Sequence, residues 1–315
     1  MVGVQNITLE PDWAGQRVDN FLITYLKLPR QLIYRWLRKG EVRINKKRIQ
    51  ARYRLQARDV LRVPPFIKIK EKKPIPVSLN HLQYLESSIL YENNNYLIIN
   101  KPSGIAVHGG SGVNSGLIER LRLLRPHEKK LELVHRIDKE TSGCLIVAKN
   151  YSTLIHFHNM LKKFQIKKIY HALVQGKWPS KNKTINLPLK KYVFPNGERL
   201  VRVNYTKGKT AQTTIEILKY FEKHTLLKAL PQTGRTHQIR VHLAAYNHAI
   251  ICDKKYGYEQ DNYQFYMLGF KRLFLHAYGL EFNDPVTAKN TVITAPYDTA
   301  CKTLLAGRDS SISSK

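Results

Sequence analysis

Two short, mostly apolar runs, 131–134 (LELV) and 144–148 (CLIVA), close on nine residues of very different character: His135-Arg136-Ile137-Asp138-Lys139-Glu140-Thr141-Ser142-Gly143. Short apolar runs bounded by turn-forming residues predict strands. A polar loop held between two buried strands is a rigid mount for chemistry, because the strands fix where its side chains point. Of its two carboxylates, Asp138 has cations on both sides. A solvated turn carrying ordinary surface charge has the same composition. The run alone therefore fixes two strands and a loop, and leaves the task of the loop open.

Around it the pattern is mixed. Strands are predicted at 96–100, 131–134, 144–148, 169–174 and 213–218, with amphipathic helices at 115–124 and 151–162. The strands do not alternate regularly with helices, which predicts an α+β layer and not a doubly wound sheet. The segment 15–66 reads as a unit of its own. Val18, Phe21, Leu22, Tyr25 and Leu26 follow helical spacing, and a second stripe runs through Leu32, Ile33, Trp36 and Leu37 until Gly40 stops it. A hairpin through Val42 and Ile44 turns at Asn45-Lys46, and 60–63 closes the unit before Pro64-Pro65. Prolines 64, 65, 74 and 76 and a lysine-rich run then predict a linker over 66–85, and the serine-rich 307–315 predicts a frayed tail.

The charge narrows the partners. The 315 residues carry 53 Lys+Arg against 23 Asp+Glu, a formal net charge of +30. Such a surplus predicts a polyanionic partner, since each neutralised phosphate releases counterions. From residue 30 to 54 the cations are Arg30, Arg35, Arg38, Lys39, Arg43, Lys46, Lys47, Arg48, Arg52 and Arg54, against the single acid Glu41. A helix and hairpin of that composition suits a phosphate-tracking surface. No run of about 18 apolar residues offers a membrane span, and residues 1–10 lack the form of a signal peptide, so a cytoplasmic nucleic-acid partner is expected and no membrane. Cys144, Cys252 and Cys301 are too few and too far apart for a disulfide framework or a zinc site, and read as core residues. His237 and His242, five apart with no carboxylate between them, do not make a metal pair. The run His108-Gly109-Gly110-Ser111-Gly112 lacks the ending of a P-loop and reads as a flexible loop.

Four blocks, in order, resemble the RluA family of pseudouridine synthases. They are Lys101-Pro102-Ser103-Gly104 with Val107-His108; His135-Arg136-Ile137-Asp138 with Thr141-Ser142-Gly143; 168–176 (KIYHALVQG); and 233–242 (TGRTHQIRVH). Leu275-His276-Ala277 matches a further block, read as packing under the site, and Ile137 replaces the usual leucine at equal volume. The resemblance implies an α+β fold: a pseudouridine synthase core with a curved, mostly antiparallel mixed sheet flanked by helices, and a cleft across it. The first segment resembles the small alpha-L RNA-binding module. The implied division is a module at 1–65, a linker at 66–85, a catalytic domain at 86–306 and a disordered tail at 307–315.

The implied reaction breaks the nitrogen–carbon glycosidic bond of a uridine, turns the detached uracil and rejoins it through a ring carbon. No metal, cofactor or redox change is required. The resemblance makes Asp138 the catalytic carboxylate, either attacking the sugar or removing a sugar proton. A desolvated carboxylate needs a cation to stay charged; Arg240, one turn along a helix opened by Thr236, is the implied partner in a bidentate pair. Tyr170 is implied as the base for the ring-carbon proton or as a stacking wall. The uridine must be flipped out of its stack. Arg136 is implied to fill the gap or hold phosphate, and His135 joins Arg136 and the module's cations on the RNA-contacting side. The implied partner is large-subunit ribosomal RNA or its precursor, bound by a monomer. Two other readings stay open at this point: a ribosome-assembly factor without catalysis, and a family member acting on transfer RNA.

Overall fold

The computed structural model describes residues 2–67, 79–109, 115–128, 130–179, 183–195 and 197–309. Most of the expected glycine loop, the centre of the linker and residues 310–315 lie outside the described residues.

The N-terminal unit forms as the spacing predicts. Helices α1 (Val18–Leu26) and α2 (Arg30–Lys39) share a core with the antiparallel strands β1 (Gln5–Thr8), β2 (Arg43–Ile44), β3 (Lys47–Arg48) and β4 (Val60–Val63), ordered β1-β4-β2-β3. Val18, Phe21 and Leu22 of α1 and Ile33, Trp36 and Leu37 of α2 are all buried, each set at i, i+3, i+4. Gly40 stops α2 at φ 71°, where a Cβ would also meet the Arg48 side chain at 2.6 Å. With the apolar stripes turned inward, all ten cations between residues 30 and 54 are left exposed.

The remainder is organised on one large sheet. Its strands are β5 (Ile89–Glu92), β6 (Tyr96–Lys101), β7 (Glu132–Leu133), β8 (Ser142–Ala148), β9 (Ile166–Gln175), β10 (Lys183–Asn186), β13 (Gln212–Tyr220), β14 (His224–Pro231), β15 (Leu275–Asn283) and β16 (Asn290–Thr294). A separate hairpin pairs β11 (Leu189–Val193) with β12 (Arg199–Val203). The main path runs β10-β13-β14-β9-β15-β8-β6-β5, with β7 beside β8 and β16 beside β15. Every pairing is antiparallel except β15 with β8.

The continuous apolar runs of β6 and β8 follow from burial on both faces. Leu97, Ile99, Leu145 and Val147 pack under α4 (Leu117–Leu124), while Tyr96, Ile98, Ile146 and Ala148 pack under α5 (Tyr151–Lys162). Period-two alternation sorts one strand between two cores. Helix α5 starts where Asn150 accepts the Thr153 N–H at 2.9 Å, a cap whose loss costs about 1 kcal/mol.

Three expected boundaries shift. The linker ends early, because α3 (Leu79–Ser87) begins once the prolines stop and buries Leu85. The tail starts late: α8 (Thr299–Asp309), with Asp298 accepting the Cys301 N–H at 2.9 Å, runs through Gly307 while Cys301 and Leu304 anchor it in the core. The 131–134 strand shortens to the two residues of β7. Two further helices, α6 (Gln238–Ala245) and α7 (Glu259–Met267), belong to the last third of the chain. The N-terminal unit also rests on the sheet domain: the Lys130 ammonium lies 4.4 Å from the Trp13 ring centre, and Glu10 approaches it at 4.0 Å.

Candidate active site

Asp138 sits in the loop between β7 and β8, and the backbone of that loop is clamped from below. The Lys139 carbonyl accepts from the Gly104 N–H at 2.9 Å and from Lys101 Nζ at 3.0 Å, and the Glu140 carbonyl accepts from Ser103 Oγ at 2.6 Å. Lys101 is fully buried and also donates to the carbonyls of Pro102 and Ile105, each at 2.8 Å. Three carbonyls match the three N–H bonds of an ammonium. Burial nevertheless draws its pKa down to about 7, with the nearby carboxylates of Glu140 and Asp138 opposing. The Lys-Pro-Ser-Gly block is thus the floor of the Asp138 loop.

The next two residues of the motif are fixed by close packing. Ser142 and Gly143 open β8 beside β15, paired with His276 and Ala277. Gly143 has φ 106°, and a Cβ there would stand 2.2 Å from the Ala277 oxygen, so no other residue fits. Because His276 Nε2 faces the Ala295 carbonyl at 3.0 Å it must donate there, leaving Nδ1 to accept from Ser142 Oγ at 2.8 Å. Ser142 Oγ in turn accepts from Arg272 at 2.9 Å. This chain supports the packing role expected of the 275–277 block.

A cavity of about 350 Å³ opens above Asp138, lined among others by Arg136, Lys168, Tyr170, His237 and Arg240. Three of the four blocks therefore converge on one space, and the first lies beneath it. Arg240 Nη1 stands 3.7 Å from Asp138 Oδ2. The expected bidentate pair exists, but with a different carboxylate: Arg240 Nε and Nη2 donate to Asp253 at 2.8 and 2.7 Å. Asp253 is sealed from solvent and also accepts the backbone N–H groups of Lys255 and Tyr256. Burial works against the guanidinium charge, yet the Asp253 pair and Asp138 raise its pKa above the ordinary value. The expected helix start also moves, since α6 begins at Gln238 and not at Thr236. The Gln238 side chain explains this, accepting from Thr233 Oγ1 and the Arg235 N–H and so curling 233–237 into a loop.

His237 is the site residue that sequence reasoning set aside. Its backbone is left-handed, φ 53°, at the head of α6. Tyr256 Oη receives the Val201 N–H at 3.0 Å, so its own hydrogen is free for His237 Nδ1 at 2.7 Å. The ring proton is then on Nε2, which faces Asp138 Oδ2 at 3.9 Å. Burial pushes the imidazole down to about 4, against the pull of Asp138, so it stays neutral. Neither 3.7 nor 3.9 Å is a hydrogen bond; the carboxylate is flanked by two donors and bonded to neither. Tyr256 also lies under Arg240, 5.0 Å from guanidinium carbon to ring centre. Neither Asp253 nor Tyr256 stands in a pattern that spacing could have flagged.

Tyr170 is half-buried between two cores and faces the cavity from β9. Burial, and then the charge of Asp138, hold its hydroxyl above the ordinary phenol range. Arg136 is exposed at the cavity mouth while Ile137 is buried, and both stand in the irregular run between β7 and β8. His135 has a different task from the one expected. Its Nε2 accepts the Ile146 N–H at 3.1 Å, where β7 has already ended and leaves that group without a strand partner. Burial drives it down to about 3, with the Lys168 charge adding to the effect, so it is a neutral strut and not a cation for phosphate. His242 is bound to Thr213 and the Leu187 carbonyl, away from His237.

Comparison with known proteins agrees over both parts. The family described as RNA pseudouridylate synthase matches residues 95–245, and the RluD ribosomal pseudouridine synthase N-terminal domain matches residues 5–61. The chain is 49% identical over 305 residues to Ribosomal large subunit pseudouridine synthase C of Pasteurella multocida, spanning 96% of this chain and 93% of the relative. It is 48% identical over 299 residues to the protein of the same name from Vibrio cholerae, spanning 94% of each. Among solved structures, Human RNA Pseudouridylate Synthase Domain Containing 1 superposes with a TM-score of 0.58 at 22% identity, covering 75% of this chain and 97% of that one, a likeness of fold.

Proposed function

The chain belongs to the RNA pseudouridylate synthase family, and we propose that it isomerises uridine to pseudouridine in large-subunit ribosomal RNA, the substrate named for its relatives. The observation that carries the reading is the Asp138 carboxylate: 21% exposed, open to the cavity and flanked by Arg240 and His237. A carboxylate kept accessible among buried donors suits a group that must act on a substrate while ionised.

In this reading a uridine is flipped into the cavity and Arg136, at the mouth, stands in for it or holds its phosphate. Asp138 attacks the sugar carbon of the glycosidic bond or takes a proton from the neighbouring carbon; both routes need the same ionised oxygen. Arg240, oriented by Asp253, and the Nε2–H of His237 stabilise that charge as the bond to uracil breaks. The uracil turns, its ring carbon joins the sugar carbon, and the proton on that ring carbon leaves while the former bonding nitrogen gains one. No atom is gained or lost overall. A phenol held protonated serves first as a wall against the base. Tyr170 can take the ring proton only as it passes its own on.

The division of labour that fits is grip by the exposed cations of 1–65, with Arg30, Arg35, Arg38, Lys39, Arg43, Lys46, Lys47 and Arg48 meeting phosphates, and chemistry by the sheet domain. The reading includes a monomer working in the cytoplasm without metal or cofactor. Incubating the protein with a large-subunit ribosomal RNA transcript and mapping pseudouridine tests it. New pseudouridine at a few discrete positions is expected; none would overturn the proposal.

A further inference from the structure

Phe164 combines two unfavourable features in one residue. It follows α5 at φ 56°, in the left-handed region, where Phe164 N–H to Leu161 C=O at 3.3 Å and Gln165 N–H to Met160 C=O at 2.9 Å end the helix. That position ordinarily holds glycine or asparagine. Among the described residues nine non-glycine residues have positive φ, and Phe164 is the one large apolar side chain in that group. Its ring is also 65% exposed. A strained backbone under a water-exposed aromatic persists where function holds it, since stability alone would remove both.

The ring's place suggests what that function is. Phe164 lines the cavity above Asp138 and also a second recess of about 230 Å³, which shares Lys168, Pro231 and Gln232 with it. Along β9, Lys167 pairs with Glu281 at 3.1 Å. Lys168, on the opposite face, is half-buried, lines both spaces and has no carboxylate within ion-pair distance among the described residues. An aromatic face beside an uncompensated cation matches one chemistry closely, a planar base joined to a phosphate.

Building on the proposed function, we propose that this recess is the subsite for the nucleotide next to the flipped uridine, whose base stacks on Phe164 while the phosphate joining the two lies against Lys168. Stacking tolerates any base, so the subsite fixes the path of the strand and not its sequence. It gives the strand a rigid hold one nucleotide from the reacting sugar.

The test compares wild type with Phe164→Asn, Phe164→Trp and Lys168→Met, by steady-state kinetics on the ribosomal transcript and by thermal unfolding. Phe164→Asn relieves the strain, so its melting temperature is expected to equal or exceed that of wild type while KM rises about tenfold or more at little-changed kcat. Phe164→Trp is expected to keep KM within about threefold. Lys168→Met is expected to weaken binding several-fold and to reduce the salt dependence by about one phosphate. A KM for Phe164→Asn within twofold of wild type overturns the proposal, as does a lowered melting temperature, which would make Phe164 a residue of the fold. Equilibrium binding of a uridine-containing single-stranded RNA to wild type and Phe164→Asn decides the subsite whether or not the transcript is modified. Tenfold weaker binding supports it and equal binding overturns it.

Discussion

The N-terminal unit and the buried shell of the cleft both carry cations and hold them in opposite ways. Between residues 30 and 54 all ten Lys and Arg side chains are exposed, on a small core of two helices and four short strands. Around the cleft Lys101 and Arg240 are buried, and each is committed to fixed partners inside the protein. An exposed cation is a mobile charge that any phosphate can meet, and its effect is screened by salt. A buried one is a geometric element, and removing its partner leaves an uncompensated charge. The first region should therefore supply most of the grip on RNA, and the buried cations of the second should decide whether anything happens to it.

The strongest way to break that division is Asp138→Asn. The amide is nearly isosteric and cannot act as nucleophile or base, so turnover should fall by a thousandfold or more, in the range a positioned catalytic group supplies. RNA affinity should stay within about twofold, because the exposed cations and the Phe164–Lys168 recess, and not Asp138, hold the strand. Pseudouridine formation is read by mapping and affinity by filter binding. Retained turnover sinks the catalytic assignment, whereas a large drop in affinity would show that Asp138 itself is part of the grip.

A smaller effect sharpens the account of the buried side. If Asp253 orients Arg240, then Asp253→Asn should lower turnover about a hundredfold although Asp253 is sealed from solvent and is not among the residues lining the cavity. Arg240→Lys should do the same, since one ammonium cannot span both oxygens. Both should also melt several degrees lower, as expected when a buried pair is broken. An Asp253→Asn enzyme with normal turnover would mean that the pair serves the fold alone.

This pair also marks where the sequence stops being readable. Periodicity gave the two helices of the N-terminal unit, the strands β6, β7, β8, β9 and β13 of the sheet, and α4 and α5, because burial on a helix or strand face leaves a repeat in the chain; β14 and β15, central to the sheet, went unread. The resemblance brought Asp138, Tyr170 and Arg240 to one cavity in advance. What it could not supply is the partner of each. Asp253 lies in an irregular turn 13 residues beyond Arg240, and its role exists only once that turn folds back under α6. His135 looked like an RNA-facing residue because it precedes Arg136. Its task follows from β7 ending two residues earlier, which no local pattern records. Phe164 left no signal either, since strain is a property of φ and not of residue type.

The exposed side is tested by deleting residues 1–67. Affinity for the transcript should fall by about one to two orders of magnitude, and the slope of log affinity against log salt should flatten by about 0.7 for each phosphate of single-stranded RNA that is no longer neutralised. Turnover at saturating RNA should fall no more than severalfold, part of it because Lys130 no longer has Trp13 and Glu10 beside it. An unchanged slope would show that the basic surface is idle.

The mildest prediction leaves turnover at neutral pH untouched and separates the two regions by acid. Residues 1–67 contain no histidine. In the sheet domain burial holds His135 at about 3 and His171, His237 and His276 at about 4, with His158 and His242 also lowered. As pH falls below the free imidazole value of about 6.5, the unfolded chain gains protons that the native state does not. Stability from these groups is therefore fully present above about 6.5 and is lost progressively towards about 4. The lowered carboxylate of the N-terminal unit, Asp19, acts only below about 3.8, so that unit should be insensitive over the same window. Urea unfolding can be followed by Trp178 alone after Trp13→Phe and Trp36→Phe, and by Trp36 alone after Trp13→Phe and Trp178→Phe. Between about pH 7.5 and 5.5 the midpoint reported by Trp178 should move to lower urea and that reported by Trp36 should not. Equal shifts would mean that the two regions unfold as one.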